Sequence, residues 1–289
     1  MSVNDGVKKV LFHIVFLQIK VLQKLFDCVG IKHYIKGDFF EALLTETTRV
    51  DVGDQHLRFH TPNKTAKYRA RLLYSKEPET IDWIRSFGAD SIFWDVGANV
   101  GMYSLFAAKV IENIKVIAIE PSIESVYLLN RNIAENGLHD QVCCYPFALS
   151  FERGVNLFKH QRIDFGGSMN VFGVDFAHDG KPAAFEHQYQ VFGFKADDLE
   201  ECFGIPQPNY LKIDVDGIEH LVARGAKNIL SSSKLKSILI ELNLDFLEQK
   251  KEVFDILEQC GFVLSSTHPP DVAADSPFAN TYNHIFKRV

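Results

Sequence analysis

The sequence predicts an α/β protein built on a mostly parallel sheet. Three observations carry that prediction. From residue 91 onward, short apolar runs alternate with segments of helical period; a glycine-bearing turn joins the first of these strands to its helix; and the last two strands follow one another with no helix between them. Repeated strand–helix–strand units require right-handed crossovers and parallel neighbours, whereas two consecutive terminal strands make one of them antiparallel.

Residues 1–50 read as an amphipathic helical segment. From Val7 to Phe26 no apolar run exceeds four residues, far short of the roughly 20 that a spanning helix needs. On a helix, Lys9, His13, Lys20, Gln23, Lys24 and Asp27 form one narrow stripe, and Val10, Leu11, Ile14, Val15, Leu17, Val21, Leu22 and Leu25 cover most of the remainder. Two readings stay open for residues 7–26: docking on the chain's own core or on another copy, or lying on an anionic membrane surface with the lysines at the headgroups. The expected location is cytoplasmic, with peripheral contact at the inner membrane surface under the second reading.

Residues 51–289 read as the main domain. Its first part, to Tyr74, holds short alternating pieces that suggest a small β element or a loop-rich cap. SIFWDV (91–96) is then a strand, GMYSLFAAKVI (101–111) a helix, KVIAIE (115–120) a strand, and residues 122–136 a helix with Val126, Leu129 and Ile133 on its apolar face. QVCCYPFAL (141–149) is a third strand, NYLKID (209–214) a fourth and KSILIEL (236–242) a fifth, with helices over 217–230 and 246–260. GFVLSS and NHIFKRV complete seven strands, and residues 267–280 between them read as an ordinary connector. The rhythm breaks at 151–208, a stretch rich in Phe, Gly and His. It reads as an insertion hanging over the carboxyl edge of the sheet.

Composition narrows the function. The chain has 289 residues, 46% hydrophobic and 24% charged, with a net charge of −6. That balance gives no global positive field for sequence-independent binding, so a nucleic-acid partner is not expected. The charge is also uneven: residues 1–36 carry +4, leaving −10 on the rest. Five cysteines without CxxC spacing indicate neither a disulfide framework nor a structural zinc site. His56 and His60 lie in a strand-like region, too far apart for one ion, and no metal is assigned.

The chemistry is concentrated at Asp95-Val-Gly97-Ala98-Asn99-Val-Gly101, which ends one predicted strand and opens a helix that begins through Ser104. Glycines there let the backbone approach a ligand in the crevice beyond the strand ends. A G-x-G-x-x-G phosphate loop has no acid in the turn; Asp95 would repel a pyrophosphate and suits a cation. Glu120-Pro121 ends the next strand about 20 residues on, where an acidic side chain accepts both ribose hydroxyls. A cationic nucleoside without phosphate fits both features, and S-adenosyl-L-methionine is such a ligand.

The segments KEPETIDWI (76–84), FWDVGANVGMYS (93–104), IAIEPS (117–122), NRNIAENGL (130–138), LKIDVDGIEH (211–220) and LIEL (239–242) together resemble the FkbM family of S-adenosylmethionine-dependent methyltransferases. The resemblance covers about residues 65–265. It implies a class I methyltransferase (Rossmann-like) fold and methyl transfer to a hydroxyl of a sugar, glycan or natural product. It matches Asp95, Gly97, Asn99 and Gly101 to the cofactor loop, Glu120 to the ribose acid and Asp214 to the acid ending the fourth strand. The family pattern D-x-E-G-x-E is met by Gly217 and Glu219, with Asp216 where Glu is commoner.

For methyl transfer, Asp214 is the first candidate for base or positioning, its rival role being to bind the cofactor's methionine part. Glu219 and His220 follow, with loop bracing and plain solvent exposure as their alternatives. His160, His178 and His187 lie in the insertion and offer a base from there. Ser168, Met169 and Asn170 are candidates for acceptor contact if their turn covers the site. Glu77 faces the cofactor's ammonium or caps a helix. Two other functions remain open to the fold, a noncatalytic binding protein and a nicotinamide-dependent oxidoreductase.

Overall fold

A computed structural model describes residues 13, 17, 20, 21, 41, 42 and 44–289 apart from 274. The chain divides into two units, Met1–Glu46 and Thr47–Val289. In the first, His13, Leu17, Lys20 and Val21 are helical; the other positions of the expected helix at 7–26 lie outside the described residues. No helix among the described residues is long and apolar enough to cross a membrane.

The second unit opens with an antiparallel hairpin of β1 (Thr47–Val52) and β2 (Gln55–His60). Residues 47–50, read from sequence as part of the amino-terminal segment, therefore belong to a strand. Helix α1 (Lys64–Arg71) follows, its first turn capped by the Asn63 side chain, which accepts from the Ala66 amide at 2.8 Å. Helix α2 (Pro78–Arg85) has proline in its first turn, where the missing N–H costs nothing.

The alternating elements then assemble as the sequence indicates: β3 (Ile92–Val96), α3 (Met102–Val110), β4 (Lys115–Ile119), α4 (Ile123–Glu135) and β5 (Val142–Tyr145). After the insertion come β10 (Tyr210–Ile213), β11 (Ser237–Asn243), α8 (Leu247–Gln259), β12 (Phe262–His268) and β13 (Thr281–Arg288). The seven-stranded sheet has the order β12-β13-β11-β10-β3-β4-β5. Strand β13 runs antiparallel to both neighbours, and the strands from β11 to β5 pair in parallel. This is the class I methyltransferase arrangement.

Strand period two divides the sheet into unlike faces. One face is apolar throughout: Trp94, Val96, Leu211, Ile213, Ile238, Ile240 and Phe286 pack with Val253 and Leu257 of α8. The other begins apolar, with Phe93, Tyr210, Leu239 and Ile285 under α2, α3 and α4. Further along the same strands it turns polar, at Asp95, Lys212, Glu241 and Asn283.

Two expectations need correction, and between them the insertion takes a definite form. The third strand does not run through to Leu149. Pro146 cannot donate a ladder bond, and β6 (Ala148–Leu149) beyond it pairs with the insertion instead. The insertion builds its own four-stranded sheet, order β6-β9-β7-β8, from β7 (Gly154–His160), β8 (Asn170–Phe172) and β9 (His187–Phe194), followed by a 3-10 turn (Ala196–Asp198) and a short helix α5 (Leu199–Phe203). The helix expected over 217–230 is two, α6 (Glu219–Arg224) and α7 (Lys227–Ser231). They part at Gly225, where a side chain would place its Cβ 2.1 Å from the Ser150 carbonyl oxygen.

That contact joins the helix break to the strand that enters the insertion. Gly225→Ala should therefore destabilise the domain by roughly 1 to 3 kcal/mol, the range for overpacking a closed contact. Urea denaturation checks it; an unchanged midpoint would show that the two segments separate freely.

Candidate active site

A cavity of about 660 Å³ opens at the carboxyl edge of the main sheet. It lies where the strand order reverses between β3 and β10, the place at which open α/β sheets bind ligands. Its walls come from the loop after β3, the ends of β4, β10 and β11, the insertion turn at 167–172, and the segment after α1. Pro270, Asp271, Val272, Ser276 and Phe278 line it too, so residues 267–280 wall the site rather than merely connecting two strands.

The loop after β3 is shaped by its glycines. Gly97 has φ +84°, and a Cβ there would stand 1.8 Å from the Asp214 carbonyl oxygen, so only glycine lets the β3 and β10 loops touch. Ala98 and Asn99 line the cavity beside it. Gly101 serves packing instead: a Cβ there would meet Leu129 of α4 at 2.3 Å, and the residue does not face the cavity. Asp95 lies beneath the loop, 1% exposed, accepting from Ser104 Oγ at 2.5 Å. Its other oxygen, Oδ1, has no hydrogen-bond partner among the described residues. Ser104 accordingly holds the acid from behind, and neither Asp95 nor Ser104 is itself on the wall.

Glu120 and Pro121 line the cavity at the end of β4. The Glu120 oxygens accept from the Asn99 and Ser122 amides, each at 2.8 Å, which fixes the carboxylate plane and leaves a lone pair on each oxygen for a further donor. Burial raises its pKa to about 7 against the lowering pull of those two amides.

The floor is a charge cluster. Glu77, Asp214 and Glu241 each bring a carboxylate oxygen within 4.8 Å of the others. Lys212, 1% exposed, donates to Asp214 Oδ2 at 2.6 Å and stands 5.1 Å over the Tyr103 ring. Lys76 pairs with Glu77, which also accepts from Thr80 Oγ1 at 3.1 Å. Burial opposes ionisation of Asp214, but Lys212 and then Lys76 outweigh it and bring its pKa to about 2. Glu241 moves the other way: burial, reinforced by the Asp214 charge, raises it well above the ordinary carboxylate range. Of the two readings for Glu77 the structure favours the cavity, because its side chain makes no capping bond to α2 and lines the wall.

The insertion turn is tied down from three directions. Asp216, at φ +56°, accepts from the Met169 and Asn170 amides at 2.7 and 3.2 Å. Asn99 Nδ2 donates to Gly167 O at 2.7 Å, and Arg69 Nε to Gly166 O at 2.5 Å. Ser168 and Asn170 thereby reach the wall, whereas Met169 does not line it.

Two catalytic candidates are corrected. Glu219 and His220 face α8 rather than the cavity, because the backbone turn at Gly217 points the first turn of α6 away from the strand ends. Glu219 accepts from the Val215 and Gly217 amides at 3.1 Å and from Gln249 at 2.7 Å, so it braces the loop that carries Asp214. His220 packs beside Gln249 and Phe246. His160, His178 and His187 are also off the wall; His160 lies 3.9 Å from Glu124 and His178 bonds Pro277 O. Sequence reasoning missed Lys76, Tyr103, Lys212, Glu241 and Asn283, all on the wall. A charged residue near the carboxyl end of an apolar strand run, in LKID and LIEL, was the available signal for two of them.

The cavity fits S-adenosylmethionine on its own features. An unpartnered buried carboxylate oxygen sits beneath the glycine turn, more acids line the floor, and a fixed carboxylate with free lone pairs stands at the end of the neighbouring strand. Those acids suit the ammonium as a donor, the sulfonium as a positive charge and the ribose hydroxyls as a pair of donors.

Comparison with known proteins identifies the family. The family model described as "Methyltransferase FkbM domain" matches residues 95–264. A curated relative, the hexuronic acid methyltransferase AglP of Haloferax volcanii, is 26% identical over 156 residues, 54% of this chain and 58% of its own length. The chain thus spans less than two thirds of that relative. Among solved structures, a methyltransferase FkbM from Methylobacillus flagellatus aligns at TM-score 0.47 and 14% identity over 89% of this chain and 60% of that one. Aeropyrum pernix fibrillarin with bound S-adenosyl-L-methionine aligns at TM-score 0.48 and 10% identity over 84% and 83%. With the family model covering more than half of its length, the chain belongs to the FkbM methyltransferase domain family.

Proposed function

We propose that the protein methylates a hydroxyl oxygen of a sugar, glycan or related polyhydroxylated acceptor. The observation that carries this is the floor: carboxylates of Asp214 and Glu241 beside a fixed buried lysine, in a cavity whose wall also takes in the insertion turn and β13. A neutral hydroxyl is a poor nucleophile and needs somewhere to lose its proton, which a carboxylate nucleophile does not. The distant likeness to a hexuronic acid methyltransferase supports a sugar acceptor.

When bound, S-adenosylmethionine supplies a methyl group on a sulfonium, an already activated donor, so the protein's task is chiefly alignment. In this reading Glu77 faces the cationic end of the cofactor with Asp95 set behind the loop, Gly97, Ala98 and Asn99 offer backbone against it, and Glu120 takes the ribose hydroxyls beside Pro121. Asp214, its Oδ2 held by Lys212, presents Oδ1 to the acceptor's proton. Its short distance from Glu241 means that the two carboxyls share protons as a pair. Ser168 and Asn170, set by Asp216, border the acceptor from above.

Two expected outcomes follow from these roles. Ionised Glu120 is the form that accepts two hydroxyls, and with its pKa near 7 the ionised fraction rises from about a tenth at pH 6 to about nine tenths at pH 8. Affinity for S-adenosylhomocysteine should rise about tenfold across that interval by calorimetry, and Glu120→Gln should bind weakly with no such slope. Asp214→Asn should lower turnover by about a hundredfold or more while changing product affinity less; wild-type turnover in that variant removes the proton role.

The acceptor class is tested with methyl-labelled cofactor and a panel of hexosides and hexuronosides. Label stable to mild alkali marks an ether on a hydroxyl, as expected. Alkali-labile label marks a carboxyl ester and overturns the hydroxyl reading.

A further inference from the structure

At the polar end of the β11–β13 pair, Asn243, Thr281 and Asn283 have no part in the roles assigned above, and Glu241 enters them only as the neighbour of Asp214. Glu241 of β11 lies directly opposite Asn283 of β13 in the antiparallel register, and Asn243 lies opposite Thr281 one step nearer the edge. Directly opposed residues share a face and stand about 5 Å apart at Cβ. On this same face the preceding pair, Leu239 opposite Ile285, is sealed in the apolar core. The wall thus steps from core to a polar panel within one register position. Glu241, Thr281 and Asn283 all line the cavity.

Asn283 is the informative member. It is 5% exposed, and its Nδ2 donates to Glu79 Oε1 at 2.7 Å, which sets the amide's orientation. Its Oδ1 has no hydrogen-bond partner among the described residues. An unmatched buried acceptor is costly, and a group held in that state at a cavity wall calls for a donor from the ligand. Thr281 Oγ1, by contrast, is already within 3.4 Å of Asn243 Nδ2. Phe278, on the wall formed by the connector, gives the same cavity an aromatic surface. Hydroxyl-accepting oxygens and an aromatic face in one cavity match a pyranose ring, which carries hydroxyls at its edge and C–H groups on its faces.

We propose that the Glu241–Asn283 cross-strand pair is the acceptor subsite and takes two hydroxyls of one sugar ring, with Phe278 against the ring face. This deepens the sugar reading above and rests on it. Glu241 adds versatility: burial and the Asp214 charge push its carboxyl toward the protonated form, which donates as well as accepts. Asn283 Oδ1 accepts only, so it discriminates a hydroxyl from hydrogen, ether or carboxylate at its position.

The test uses the full-length protein with methyl glucoside and methyl glucuronoside, each with its monodeoxy series. Asn283→Leu should raise the acceptor KM about ten- to a hundredfold, the loss for a buried hydrogen bond that ligand binding completes. Its affinity for S-adenosylhomocysteine should stay within about threefold of wild type, a calorimetric control that also reports folding. On wild type, one monodeoxy sugar should show the same loss; on Asn283→Leu that sugar and its parent should be equivalent, since the contact is already gone. Glu241→Gln, isosteric and neutral, should shift a different member of the deoxy series. An unchanged KM in Asn283→Leu overturns the subsite, as does a loss confined to S-adenosylhomocysteine binding. Wild-type protein that methylates none of the sugars overturns the sugar reading and the subsite together, whereas sugar methylation indifferent to Asn283 overturns the subsite alone.

Discussion

The Lys212 ammonium, buried in the middle of a central strand and bonded to Asp214, is the charge on which the cavity floor depends. In the parallel register Lys212 stands opposite Asp95 on β3, while Glu77 and Glu241 approach Asp214 from α2 and β11. Acids crowded into a space shielded from water would otherwise take up protons, because burial and mutual repulsion both disfavour the ionised form. One lysine inside the group, helped by Lys76 at its rim, pulls the pKa of Asp214 and Glu77 down while burial and the Asp214 charge drive that of Glu241 up. A buried pair of this kind adds little net stability. Its effect is to push two neighbouring carboxyls in opposite directions at the strand edge.

The remainder of the site is arranged around that floor by close backbone approach. Gly97 brings the β3 loop against the Asp214 carbonyl, and Glu120 then ties the same loop to the end of β4 through the Asn99 amide. Asp216, two residues beyond Asp214, carries the connection upward to the insertion. The shorter acid suits this grip, since Asp216 already reaches two adjacent amides of the insertion turn from a left-handed backbone position. Floor, cofactor loop and covering turn are therefore one hydrogen-bonded unit, and Glu219 braces it from behind rather than taking part in the chemistry.

Legibility in the sequence followed the range of the interactions involved. Strands β3, β4, β10 and β11 were readable because each is a short apolar run bounded by turn residues, and Glu120 and Gly97 because their turns are local. The breaks at Pro146 and Gly225 were present as residues, yet their consequence was not: the partner of β6 lies more than forty residues away, and Gly225 is required by a carbonyl from Ser150. Glu219 and His220 were misread for a similar reason. Their spacing from Asp214 is right for a site, but the turn at Gly217 directs them toward Gln249 of α8.

What the sequence by itself determined was the class of sheet, the position of the cofactor turn and the acids that border it, because strand period, helix period and turn chemistry act over a few residues. What only the tertiary structure decided was which side chains share the cavity. Lys212, Glu241 and Asn283 come from three strands whose adjacency depends on the order β13-β11-β10-β3 and on antiparallel closure by the last strand. Pairing between distant strands places the polar ends of four strands side by side, and no local pattern encodes that juxtaposition.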